Sequence, residues 1–132
     1  MIVNIDPKSS VAVFQQLMRE IKSSIARGIC APDEAIPSVR QMASQALINP
    51  NTVAKAYREL EREGVLYTRQ GRGVFVSSEA PEICREDSRR ALRERLRKVV
   101  DESRRAGIDD SALRQAFDDA LMHGDIGGEG RQ

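Results

Sequence analysis

The chain has 132 residues, of which 40% are hydrophobic, 31% charged and 4% aromatic, a size for one domain or a small domain with an appendage. With no Trp, its core must come from Leu, Ile, Val and Ala, which points to helices rather than to a sandwich or barrel. No apolar run nears the ~20 residues of a membrane span, and MIVNIDPKSS has no basic segment leading into an apolar stretch, so a cytoplasmic protein is expected, with no membrane partner. The formal charge of +1 is uneven: ten Lys and Arg face seven Asp and Glu in residues 1–76, against eleven and thirteen in 77–132. An anionic partner should therefore meet the first part of the chain.

In chain order, Ile2, Val3 and Ile5 make a short extended start before Pro7. In VAVFQQLMREIKSSIARG, Phe14, Leu17, Met18, Ile21 and Ile25 share one face of a helix, with Ser10 as the expected N-cap and Gly28 as the stop. Ala31-Pro32-Asp33-Glu34 reads as a turn. A short helix opens at Ser38, where Gln41 completes a capping box, and buries Val39, Met42, Ala43 and Ala46. Asn49-Pro50 starts the next helix, a capping side chain followed by a proline whose missing N–H costs nothing there; Gly64 ends it. VLYTR and VFV around Gln70-Gly71-Arg72-Gly73 predict a β-hairpin. Helix, short helix, helix and hairpin make a winged helix-turn-helix.

Residues 77–81 read as a linker. Beyond it, Leu92, Leu96, Val99 and Val100 mark one helix, and Leu113, Phe117, Ala120 and Leu121 another that Asp109 caps, with a break near Gly107. Residues 124–132, GDIGGEGRQ, are glycine-rich and expected to be disordered. The fold class expected is mainly α with a small β-hairpin: a winged helix-turn-helix over 1–76, then a two-helix dimerisation segment over 82–123.

The helix from Pro50 to Glu63 is the most informative segment. At 100° per residue, Val53, Ala56, Tyr57 and Leu60 cluster on one side, and Asn51, Lys55, Arg58 and Arg62 fall within about 60° on the other. A polar, basic stripe suits a major groove, where Asn pairs with adenine edges while Lys and Arg read guanine or neutralise phosphate. Taken alone, the stripe also reads as a solvated face with ion pairs. Two neighbours shift the balance: the loop Arg69, Gln70, Gly71, Arg72 and Gly73, whose arginines can straddle a phosphate line, and Ser38-Val39-Arg40 at a helix N-terminus that favours phosphate. Asn49 and Thr52 complete the candidate set at the start of the Pro50–Glu63 helix. Three basic features on successive elements of one motif point to double-stranded DNA.

Catalysis has little to stand on. Asp109-Asp110 suits a helix N-terminus and Asp118-Asp119 a solvated face, and no His, Cys or Ser has a partner at catalytic spacing. Cys30 and Cys84 lack CxxC spacing, and His123 is the only histidine, so the expectation is no enzyme, no metal, no disulfide and no cofactor.

The stretch VFQQL…IARG…PDEAIPSVRQMA…NPNTVAKAYRELEREGVLYTRQGRGVFV resembles the DNA-binding domain of GntR-type bacterial transcription regulators, and its IPSVR and NPNTV…TRQGRGVFV segments are most similar to the YtrA-like subfamily. The resemblance covers about residues 10–76. It implies a winged helix-turn-helix that binds an operator as a homodimer, usually as a repressor, with Arg40, the start of the Asn51–Lys55 helix and the Gln70-Gly71 wing tip touching DNA. Short-tailed relatives are often encoded beside transporter genes, which makes transporter control the implied target; no effector is legible. Some positions depart from the pattern. Leu47 stands where the family usually has a turn glycine, and Ala12, Cys30 and Asp33 replace a proline, a leucine and a glycine. Ala54 occupies the place of an arginine that contacts DNA in several relatives outside the subfamily, which moves the base-reading role to Asn51, Thr52 and Lys55.

Residues 82–123 suffice for two helices, not for a large effector domain. Such a pair cannot bury its apolar seam alone, and packing on the same pair of a second subunit gives an isologous dimer. Leu92, Leu96, Val99, Leu113, Phe117 and Leu121 are the candidate seam; the alternative is packing back onto the winged domain. The resemblance also implies dimerisation through these helices. Arg89, Arg90, Arg93, Arg95, Arg97 and Lys98, interleaved with Glu86, Asp87 and Glu94, read as a solvated face. The reading is a dimeric, sequence-specific regulator; a winged-helix protein-interaction module and a nonspecific architectural DNA binder are the alternatives.

Overall fold

The computed structural model describes residues 1–124. Its elements are α1 (Val13–Ala26), β1 (Ala35–Ile36), α2 (Val39–Ala46), α3 (Pro50–Arg62), β2 (Leu66–Arg69), β3 (Gly73–Val76), α4 (Ala80–Arg105) and α5 (Asp110–Gly124). The described residues fall into two compact units that divide after Arg89, so α4 contributes its first turns to the one and the rest to the other.

In the first unit, helix starts follow local chemistry. Ser38 Oγ accepts from the Gln41 amide at 3.1 Å and Gln41 Oε1 from the Ser38 amide at 2.9 Å, the expected capping box. Asn49 Oδ1 accepts from the Asn51 amide at 2.7 Å, with Pro50 as the first helical residue. The start of α1 differs from expectation: its N-cap is Ala12, not Ser10, and no side chain caps it. Gln16 secures the entry instead, its Nε2 donating to the carbonyls of Asp6 and Val11 and its Oε1 accepting from the Asp6 amide.

The hairpin forms with Leu66 opposite Val76 and Arg69 opposite Gly73. A strand absent from the sequence reading, β1, pairs antiparallel with β3, so the sheet has three strands in the order β1-β3-β2. The core joins Leu17, Ile21 and Ile25 of α1 to Met42 of α2, Val53 and Leu60 of α3, and Val65 and Val76 of the wing. All are nearly inaccessible to solvent. Phe14 and Met18, on the same helical face, are only half-buried at its edge.

The expected linker at 77–81 is instead bonded into this unit. Ser77 is buried, its hydroxyl donating to the Gly64 carbonyl at 2.5 Å and its amide to the Val65 carbonyl at 2.9 Å. Ala80 already belongs to α4 and is fully buried, as is Cys84 one turn on. Pro81 read as a linker residue, but a proline in the first turn interrupts no helical bond. Lys22 of α1 reaches Glu63 at the end of α3 (2.5 Å) and Asp87 of α4 (2.9 Å).

In the second unit, α4 ends at Arg105, and Gly107 turns the chain with φ 79°. Asp109 caps α5 by accepting from the Ala112 amide at 2.8 Å, and Arg104 pairs with Asp110 at 3.2 Å. No described side chain of this unit is fully buried. Gly124, expected to open the tail, closes α5; the remainder of that expected tail lies outside the described residues.

Candidate nucleic-acid interface

Helix α3 divides as its periodicity requires. Val53, Ala56, Tyr57 and Leu60 are buried, while Asn51, Lys55, Arg58 and Arg62 are exposed and Thr52 is half-buried. The Tyr57 hydroxyl donates to the Pro37 carbonyl at 2.7 Å, and burial raises its pKa well above the usual value, so it stays a neutral donor. That bond ties α3 to the residue before Ser38. Because Ile36 pairs with Val74, the start of α2 is anchored to the wing as well. The elements carrying Arg40, Asn51 and Arg69 are thus braced against one another.

The exposed cations on these elements are mostly open, as are Arg95, Arg97 and Lys98 further along α4. Arg62 pairs with Glu59 on its own helix, which removes it from the open set. Arg40, Lys55, Arg58, Arg69 and Arg72 are exposed and form no ion pair among the described residues. At the start of α4, by contrast, Arg85 pairs with Glu82, and Arg89 with both Glu82 and Glu86. The solvated, ion-paired reading thus suits the start of α4 and, on the α3 stripe, Arg62 but not Lys55 or Arg58.

Two of these cations rest on aromatic rings. Lys55 Nζ lies 4.0 Å from the centroid of Phe14 in α1, and the Arg69 guanidinium 5.8 Å from that of Tyr67. Tyr67 stacks on Phe75 across the hairpin (5.6 Å), and its hydroxyl donates to Asp33 Oδ1 at 2.7 Å. That hydrogen bond, then partial burial and the Asp33 charge, raise the Tyr67 pKa above its ordinary value. Sequence reasoning missed the roles of Phe14, Tyr67 and Asp33. Phe14 carried only the helical spacing of a core residue, and no local pattern pairs it with a lysine 41 positions away.

At the wing tip, Gly71 takes φ 78°, a conformation that disfavours any side chain, and the Arg72 amide closes the turn on the Arg69 carbonyl at 2.9 Å. Gln70, Gly71 and Arg72 are all exposed. Thr68 donates to Glu61 Oε2 at 2.5 Å, fastening the wing to α3. The Ser38 hydroxyl and the Asn49 carbonyl oxygen are occupied by helix caps, so either residue would meet a partner with its remaining donor. The turn before α3 is the αL turn that a glycine usually makes: Leu47 has φ 56° and is 92% exposed.

Other chemistry is sparse. Cys30 and Cys84 are buried free thiols, and burial raises the pKa of both, that of Cys84 to about 11, so neither is a thiolate at neutral pH. Among the described residues, no helix is long and apolar enough to cross a membrane.

Residues 14–76 match the family described as bacterial regulatory proteins, gntR family. Across 108 residues the chain is 37% identical to the HTH-type transcriptional repressor YtrA of Bacillus subtilis, covering 82% of this chain and 83% of that protein. The chain belongs to the gntR family. This GntR-family chain is a DNA-binding transcription regulator and not an enzyme. A transcriptional regulator from Oenococcus oeni shares its fold, with a TM-score of 0.72 and 32% identity over 88% of this chain and 99% of that one. AraR(DBD) in complex with operator ORX1 is similar at a TM-score of 0.51 and 28% identity, over 58% of this GntR-family chain and 99% of that chain.

Proposed function

We propose that the protein is a cytoplasmic repressor that binds an inverted-repeat operator as a homodimer. In this reading α3 enters the major groove, Asn51, Thr52 and Lys55 meet DNA from its first turns, and Arg58 reaches a phosphate. Ser38, Arg40 and Asn49 meet the backbone at the two helix starts, and Arg69, Gln70, Gly71 and Arg72 meet it from the wing. The observation that carries it is the set of exposed cations on α2, α3 and the wing that lack acidic partners among the described residues. Positive charge left open on braced elements is what a polyanion neutralises, with release of its counterions. Operator binding by AraR and repression by YtrA, as named for those relatives, support the same reading.

The dimer is supported by the second unit. Leu92, Leu96, Val99, Phe117 and Leu121 are between 40% and 65% exposed, and Leu113 is half-buried, so the apolar seam is uncovered in one chain. A second copy of the same helices would cover it. Two recognition helices would then meet half-sites about 34–36 Å apart.

Fluorescence anisotropy with duplex DNA from upstream of the protein's own gene, against a scrambled duplex and across a salt series, tests the proposal. Tight, salt-dependent binding to the native duplex alone is the expected result. Equal binding to both duplexes would assign an architectural role or an operator elsewhere, and no binding to either would point to a protein-interaction module.

A further inference from the structure

Among the open cations, Lys55 has a defined resting place. Its Nζ lies 4.0 Å from the centroid of the Phe14 ring, which reaches α3 from the first turn of α1. The ring is half-buried and packs against the core, so its position is set by the fold, while Lys55 stays exposed. A carboxylate partner would cancel the lysine's charge and would have to be displaced before a phosphate could replace it. A ring face attracts the ammonium through its quadrupole and leaves the full charge available. It also restrains a long side chain whose rotamer freedom is otherwise lost on binding.

We propose that Phe14 is a positioning residue for DNA binding, its ring holding the Lys55 ammonium where a DNA phosphate meets it. This rests on the reading of α3 as the DNA-facing helix. It adds a requirement that a basic stripe alone does not have: the lysine's contribution depends on an aromatic side chain from a different helix, one that need not touch DNA.

The test uses the full chain and a duplex enriched by the wild-type protein from a randomised pool. In the free protein, the Lys55 ε-methylene protons should be shifted upfield by the ring current, and the shift should vanish in Phe14→Leu. Lys55→Met should weaken binding and lower the salt slope by about one, as for a lost phosphate contact. Phe14→Leu should raise Kd about two- to fivefold, a restraint of the order of an exposed cation–π contact, and leave the slope unchanged because the charge remains. Added to Lys55→Met, it should change Kd by less than about twofold, and Phe14→Tyr, which keeps the ring, should stay within about twofold of wild type. Thermal unfolding confirms that each variant is folded at the assay temperature. An equal loss from Phe14→Leu with and without Lys55, tighter binding by Phe14→Leu, or no ring-current shift would each overturn the positioning role alone. Wild-type affinity in Lys55→Met would overturn the DNA contact itself, and the inference with it.

Discussion

Leu47 combines two costs at one residue. Its φ of 56° places it in the left-handed region, and its side chain is 92% exposed, so no burial offsets the strain. For a residue with a Cβ that conformation costs about 1–2 kcal/mol. Leu47→Gly should therefore stabilise the protein by about 1 kcal/mol, since the flexibility glycine adds to the unfolded chain offsets part of the relief. Leu47→Ala, which keeps the Cβ, should bring no comparable gain; urea unfolding of the two variants separates backbone relief from loss of the side chain. At the same scale, Arg40 and Asn51 differ in what their loss should do. Arg40→Ala should weaken binding to all sequences and lower the salt slope by about one. Asn51→Ala should instead relax preference at one base position, a cost of about 1–3 kcal/mol against the preferred base. Binding measured on a set of single-base operator variants distinguishes the two, and a uniform loss for Asn51→Ala would count against base reading.

Between elements, Lys22 joins three helices: it sits in α1 and binds Glu63 after α3 and Asp87 in α4. Burial lowers its pKa, but the hydrogen bonds and charges of Glu63 and Asp87 more than reverse this, so the net shift is upward from 10.5. A raised pKa in the folded state means the stabilisation is complete below the unfolded value and is lost as pH rises through the folded one. Lys22→Met should cost about 1–2 kcal/mol at pH 7, between exposed and buried ion pairs, because it leaves two carboxylates facing each other. Denaturant unfolding from neutral pH to beyond 10.5 should show the gap between wild type and variant closing at the alkaline end. What the sequence discloses at this scale is whatever is written locally. Ser38 with Gln41, Asn49 with Pro50, and the glycines of the wing each fix a boundary through neighbours two or three positions away. Strand β1 has only Ala35 and Ile36 and exists because β3 pairs with it. The start of α4 is hidden for a related reason: Ala80 and Cys84 are buried by the fold, not by a pattern of their own. The candidate site divides in the same way. Its basic residues are legible from helical phase and loop composition, and Tyr67 beneath Arg69 follows from strand alternation, whereas the Phe14 ring beneath Lys55 is brought there by tertiary structure.

For the whole molecule, the contrast between the units governs what assembly must supply. The winged unit buries its own core, while every described side chain of the second is at least partly exposed. Leu96, at 40% exposure, and Phe117, at 51%, lie on the uncovered seam and outside the core of the winged unit. Leu96→Glu or Phe117→Glu would place a charge where a second subunit is proposed to pack, and desolvating that charge opposes association. Either variant should sediment as a monomer at concentrations where the wild type is a dimer. Its winged unit should stay folded, because no core side chain is removed. Affinity for a duplex with both half-sites should then fall by about 10²–10⁴-fold, the advantage that linkage gives a second binding event. Affinity for a single half-site should be unchanged. Analytical ultracentrifugation paired with binding to one- and two-half-site duplexes reads both quantities. Variants that stay dimeric would place the interface elsewhere, whereas monomers with undiminished affinity for the full operator would remove the need for a dimer.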